Sequence, residues 1–284
     1  MSQLTATLIK TLKFFIRNRA LLLGIVIWPM VLLVLIVYTE LSAVSATQMS
    51  LAVGDVTISM VGFALMLACI MNLPGSIARD REIGLLVKLR SMPVSPWIDT
   101  FGRLLAYLVF AIVVAGLVTL VGLGLGARFG GDVVAGAEVV GFLVMAVVGA
   151  AGIGLILGSL IKSVQGVAFF GLALALIFAF VSGIFVPYSQ LSAPLQSFSQ
   201  AFPVSSATSS IAYLLLGQDV AGYNPLMPGQ IATTTVVALV LLAIGLVVYH
   251  RTSWRQDSGV SHARVPSLSR GRRHRHAPER TENP

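Results

Sequence analysis

Six runs of about twenty residues, none with an Asp, Glu, Lys, Arg or His away from its ends, constrain this chain more than any other feature. They fall at residues 20–39, 56–78, 104–127, 139–161, 167–187 and 231–250. About 20 apolar residues, each rising 1.5 Å, cross the roughly 30 Å hydrocarbon core of a bilayer. A helix satisfies its own backbone hydrogen bonds, so it is the form such a run takes where water is absent. Of the 284 residues, 56% are hydrophobic and 11% charged. Soluble domains carry about 25% charged residues, so too little polar surface is available to cover a water-soluble globule. The predicted fold class is an all-α polytopic membrane protein with six transmembrane helices.

The uncharged spans also weigh against several transport chemistries. Ionisable groups inside a membrane mark proton relays, ion pathways and voltage sensors. Their absence disfavours a proton-driven carrier and leaves a neutral pathway open. Cys69 is the single cysteine and lies in an apolar run, so no internal disulfide forms and a buried, inert thiol is expected. The first apolar run is longer than a signal-peptide core of roughly 7–15 residues, and it reads as a retained helix.

Lys and Arg set the orientation. With a cytoplasmic N-terminus and six spans, all of the 19 basic residues except Arg128 fall on the cytoplasmic side. Glu40, Asp55, Asp132, Glu138 and Asp219 fall outside. This is the positive-inside pattern, and an odd number of spans would break it. Both termini are then cytoplasmic, and the expected location is the cytoplasmic (inner) membrane. The basic excess is a topology signal that also favours contact with anionic membrane lipids; nucleic acid is not an expected partner.

Three segments outside the spans have character of their own. Residues 1–19 place Leu4, Leu8, Leu12 and Phe15 at helical spacing, with Lys10, Lys13 and Arg17 opposite. That suits an N-terminal amphipathic helix lying in the membrane interface, or a cytoplasmic extension of the first span. The loop RDREIGLLVKLRSMPVSPWIDTFGR, residues 79–103, predicts a short amphipathic helix stopped by Pro93 and Pro96. Residues 188–230 are uncharged apart from Asp219 and rich in serine. There, 190–200 and 205–216 can each form a short helix with Pro203 between them, either as a hairpin at or partly within the membrane or as a surface loop. Residues 251–284 are rich in Arg, Ser, His and Pro, the composition of a disordered basic tail. The predicted domains are therefore 1–19, the six-helix body 20–250 and the tail 251–284.

No GxxxxGK[ST] phosphate loop, HExxH, GxSxG, zinc-ligand cluster or pair of intramembrane carboxylates occurs. No metal site and no catalytic residue are expected. Energy for uphill movement would have to come from a partner or from an ion gradient, and a cytoplasmic partner is the economical expectation. The glycines of the third to fifth spans, including the pair Gly154 and Gly158, suit close helix packing.

At this point the chain resembles a known family. The stretch DREIGLLVKLRSMPVSPW is similar to the cytoplasmic loop of the membrane subunits of type 2 ATP-binding-cassette (ABC-2) exporters, with its acidic-basic-Glu-x-Gly start, leucines and Pro-Val-Ser turn. SGIFVPYSQLSAPLQSFSQAFPVSSA is similar to that family's Gly-x-Phe-x-Pro exit from the fifth span and the Pro turn before the last. Leu85 stands where many members have Thr, and the basic tail lies outside the family pattern. The resemblance, closest to small drug- and antibiotic-resistance permeases, implies an N-terminal interfacial helix, a cytoplasmic coupling helix and an external re-entrant hairpin. It implies an exporter subunit for hydrophobic or amphipathic compounds, not itself an enzyme, paired with a second permease copy and with cytoplasmic ABC ATPase subunits. ATP and magnesium would be held by those partners, with no cofactor on this chain. Arg81, Glu82, Gly84, Leu85, Lys88, Pro93 and Pro96 would form the ATPase-coupling element. Met66, Phe178, Phe185, Pro187 and Pro203 would belong to a translocation path or gate. A secondary carrier or channel, or a non-transporting membrane scaffold, are the competing expectations.

Overall fold

The computed structural model describes Ile9, Thr11 and residues 19–39, 45–85, 96–217 and 222–253. The predicted interfacial helix apart from Ile9, Thr11 and Arg19, the loop positions Lys88 and Pro93, and almost all of the basic tail lie outside the described residues.

All regular structure among the described residues is helical. In chain order the helices are α1 (Arg19–Thr39), α2 (Ala46–Met66), a π-helical segment (Leu67–Asn72), α3 (Leu73–Glu82), α4 (Pro96–Gly124), α5 (Val133–Leu160), α6 (Val164–Val181), α7 (Ala193–Ala201), α8 (Pro203–Leu216) and α9 (Pro228–Ser253). Five continuous helices are long and apolar enough to cross a membrane: Gln48–Glu82, Trp97–Gly124, Val133–Leu160, Val164–Val181 and Pro228–Thr252. α1 spans 21 residues, but Gly24–Thr39, the apolar part described in full, is shorter than the other five.

The second predicted span differs most from expectation. Its helix runs without a break from α2 through the π segment and α3, well beyond residues 56–78 at both ends. Two predictions change with it. Asp55 lies inside this helix rather than outside a span, and Arg79–Glu82 form its last turn rather than the start of a separate loop helix. The fifth span is instead shorter than predicted. α6 stops at Val181 because Gly183 takes φ +84°, a left-handed conformation that breaks the helical path at little cost only for glycine. The amides of Ile184 and Phe185 both fold back to the Ala179 carbonyl.

The α2–π–α3 helix forms the centre of the bundle. In its most apolar stretch 83% of the residues are buried, against 22% for α6 and 17% for α9, which lie at the periphery. Its π segment is packed closely by two other helices. A Cβ on Gly171 of α6 would stand 2.8 Å from Met71 Cα, and one on Gly158 of α5 2.9 Å from Pro74 Cα. Gly154 of α5 faces the Cys69 carbonyl more closely still. These glycines therefore serve packing within the chain. The wider π turn offsets carbonyls from their α-helical donors, and the Asn72 side-chain amide donates to Leu67 O at 2.9 Å.

Residues 193–216 form two helices, with Pro203 opening the second. Proline suits this first position because an N–H there would have no partner in the helix. α8 is no surface loop: its residues Pro203–Thr208 are all buried, and it packs between α2 and α5. Its buried hydroxyls are satisfied internally. Ser206 pairs with Thr234 of α9 at 2.9 Å, Thr208 donates to Ser205 O at 2.8 Å, and Ser210 donates to Ser206 O at 2.8 Å. The serines of this segment fasten a buried helix, since buried hydroxyls cost little once paired.

Candidate functional site

Charge gathers at one end of the bundle, where α3, α4, the α5–α6 turn and α9 meet. On α4, Asp99 and Arg103 are spaced i,i+4 and therefore share a face. Arg103 Nε donates to Asp99 at 2.9 Å, while its Nη2 donates to Asp80 of α3. Nη1 reaches Ser76 Oγ at 3.4 Å. Arg103 is 3% exposed and Asp99 1%, so this is a buried triad of one cation between two carboxylates. The planar guanidinium serves two acceptors at once, which a lysine ammonium does less well. Tyr249 of α9 is buried close enough to Arg103 to interact electrostatically. Trp97 stacks on His250 with ring centroids 5.8 Å apart, so α4 and α9 meet at this end.

The last turn of α3 also reaches the α5–α6 turn. Glu82 accepts a hydrogen bond from the Val164 amide at 2.9 Å, and Arg81 Nη1 approaches Ile161 O at 3.5 Å. Val164 opens α6 and Ile161 closes α5. An anion therefore faces a helix N-terminus and a cation a helix C-terminus, the signs that helix dipoles favour. Ser163 adds a local cap, accepting from Gly166 N at 3.1 Å. Neighbouring residues of one motif thus bridge α3 to both sides of a turn some eighty positions away.

Gly84 follows at φ +68°, its amide donating to Arg81 O at 3.1 Å, and so ends α3 in the left-handed conformation. Nothing lies within 4 Å of a Cβ built there, so only backbone strain opposes a substitution. Gly84→Ala is expected to cost about 1–2 kcal/mol through that strain. A modest fall in melting temperature with unchanged size-exclusion behaviour would show it; an unchanged melting temperature would mean that the turn relaxes.

The other expected coupling residues are less constrained. Leu85 is half-buried at the edge of the described segment, and the backbone of Pro96 opens α4. The expected path residues do not share one wall. Met66 is fully buried in the core. Phe178 packs on Phe202 and Phe198, with centroids 5.0 and 6.2 Å away, and so holds α7 against α6. Phe185 packs on Phe63 at 4.8 Å and Phe180 at 5.2 Å. Pro203 abuts Gly149 of α5, where an added Cβ would stand 2.5 Å from the proline Cβ. Pro187 lines a separate polar cavity of about 140 Å³ with Asp55, Ser59, Tyr188, Ser199, Ser205 and Thr208 among its neighbours. Beside it, Tyr188 packs on Tyr223 with centroids 4.8 Å apart, and burial pushes the Tyr223 phenol above its usual range. That side chain stays neutral at physiological pH.

Sequence reasoning missed the triad and the cavity. The i,i+4 spacing of Asp99 and Arg103 was the one visible signal; Asp80 comes from another helix and carried none. Among the described residues no cluster of His, Cys, Asp or Glu is placed to hold a metal ion. A family model described as ABC-2 type transporter matches residues 2–216. No curated protein matches the chain.

Proposed function

The chain belongs to the ABC-2 type transporter family, and on that footing we propose that it is the permease subunit of an ATP-driven exporter of hydrophobic or amphipathic compounds. It is a multi-pass membrane protein of a family whose members generally work with ABC ATPase subunits. In the proposed complex α1 supplies the sixth span, two copies pair in the cytoplasmic membrane, and two ATPase subunits bind the cytoplasmic face. Cargo passes between the copies near their first, second and fifth spans. The 193–216 pair acts as the external re-entrant hairpin.

The observation that carries this reading is the bridge from Arg81 and Glu82 to the α5–α6 turn. An ATPase pushing on the segment that follows Gly84 would move α3 and the start of α6 together. α3 is continuous with the central helix, so the push would reach the core without a flexible joint. In this reading Leu85 and Lys88 meet the ATPase, Pro93 and Pro96 stiffen the return to α4, and Glu82 acts as a positioning residue through Val164. Met66, Phe178, Phe185, Pro187 and Pro203 shape the transmembrane and outer parts that respond.

The test is co-purification from detergent with the ABC ATPase encoded nearest to this gene. Leu85→Asp is compared with Glu82→Ala and with wild type. Wild type is expected to hold the ATPase and Leu85→Asp to lose it while eluting as a folded permease. Glu82→Ala is expected to retain much of the complex and lose substrate-stimulated ATP hydrolysis by tenfold or more, on the order of 1.4 kcal/mol of coupling. If wild type retains no ATPase, including others tried in parallel, the exporter reading fails and a carrier or scaffold takes its place.

A further inference from the structure

We propose that the cavity around Asp55 is a binding site for the protonated amine of an amphipathic ligand. The inference deepens the export reading, on which its role as a cargo site rests, by naming the chemical class of the cargo's head group.

Asp55 and Ser59 are one turn apart on α2, and both line the cavity. Among the described residues no hydrogen bond or ion pair reaches the Asp55 carboxylate, and no Lys or Arg lines the cavity. The part of the wall contributed by α7 and α8 presents hydroxyl lone pairs. Ser199 donates to the Ser182 carbonyl at 2.7 Å, Ser205 contacts the same carbonyl, and the two hydroxyls lie 2.8 Å apart. Two hydroxyls own two protons between them, and this trio consumes both. Thr208 spends its proton on Ser205 O. These three groups can accept further hydrogen bonds and cannot donate them. An unpaired carboxylate sharing a cavity with these acceptors suits a cation that brings several N–H donors.

The surroundings suit an amphiphile in particular. The cavity, at about 140 Å³, is several times the roughly 30 Å³ share of a water molecule, enough for an ammonium head and its first methylenes. One further turn along α2 from Ser59, Phe63 starts a row of rings through Phe185 to Phe180. Phe180 is 54% exposed on the outside of α6. Phe63 is fully buried, so an apolar tail would part these rings to lie along the row with its charged head at Asp55.

Binding is measured by calorimetry on the purified full chain in neutral-lipid nanodiscs, with n-butylammonium as the probe and n-butanol and sodium as comparators. Butylammonium is expected to bind saturably and butanol not at all. Asp55→Asn, with the melting temperature of wild type, is expected to weaken binding tenfold or more. Ser59→Phe fills the cavity without changing its charge and is expected to abolish binding, so the site remains testable if Asp55→Asn fails to fold. Absence of saturable binding, equal binding by a folded Asp55→Asn, or displacement by an equal concentration of sodium would each overturn the proposal. The measurement needs no ATPase. A permease that holds its ATPase but binds no amine sinks this inference alone; one that binds the amine but pairs with no ATPase keeps the site and loses the export reading.

Discussion

Arg103→Met is expected to cost about 3–5 kcal/mol, because it removes the guanidinium that two buried carboxylates share. Asp80 and Asp99 both bond this one guanidinium, and all three residues are at most 8% exposed. The α3–α4 contact should open first, and with it the Trp97–His250 stack of α4 on α9. Thermal unfolding in detergent, followed by the size-exclusion peak that survives heating, measures the loss. The neutral triple variant Asp80→Asn, Asp99→Asn, Arg103→Met separates charge from packing. It should recover most of the stability, since removing a whole buried ion cluster is often near neutral where removing one member is not. If Arg103→Met melts with wild type, the triad does not hold these helices together.

Gly154→Ala is expected to be nearly as damaging, although it adds one methyl group to a residue type that favours helices. On Gly154 that methyl would enter the van der Waals envelope of the Cys69 carbonyl oxygen. The obstacle is backbone in the central helix, so no side-chain rotation can relieve it. α5 would have to retreat from the π segment, opening the contacts that Gly158 makes with Pro74 as well. Overpacking of this kind costs about 1–3 kcal/mol and occasionally more, and the rigid obstacle places this case at the upper end. Gly141→Ala on the same helix is the matched control. Nothing lies within 4 Å of its added Cβ, so it should match or slightly exceed wild-type stability through the better helix propensity of alanine. The expected signature is a sharp loss of monodisperse protein for Gly154→Ala alone. Equal behaviour of the two variants would show that α5 does not bear on the π segment as closely as described.

The long helices were legible because hydropathy is additive along a chain. α5, at Val133–Leu160, contains the predicted run 139–161 except for its last residue, and α9 contains 231–250 entirely. The helix pair around Pro203 was legible for a local reason, since proline both ends one helix and starts the next. The family could be read from the loop motif, whose spacing survives in sequence. The partners of that motif could not. Nothing near Glu82 in the chain points to Val164, because a bond between residues 82 positions apart exists only once the helices are packed. Asp55 was read as lying outside a span because the polar residues around it broke the hydropathy pattern; the central helix runs through them, with Val53, Gly54 and Thr57 buried against neighbouring elements.

By itself the sequence determined the medium, the helical class and the approximate positions of the spans, because each depends on sums over neighbouring residues. It also placed a boundary between two helices at Pro203. Tertiary structure alone decided which glycines meet backbone, which charges are buried as a triad and which hydroxyls share a cavity with Asp55. Those outcomes depend on distances between segments remote in the chain, and they are set when packed helices bring a few atoms within hydrogen-bonding or van der Waals range.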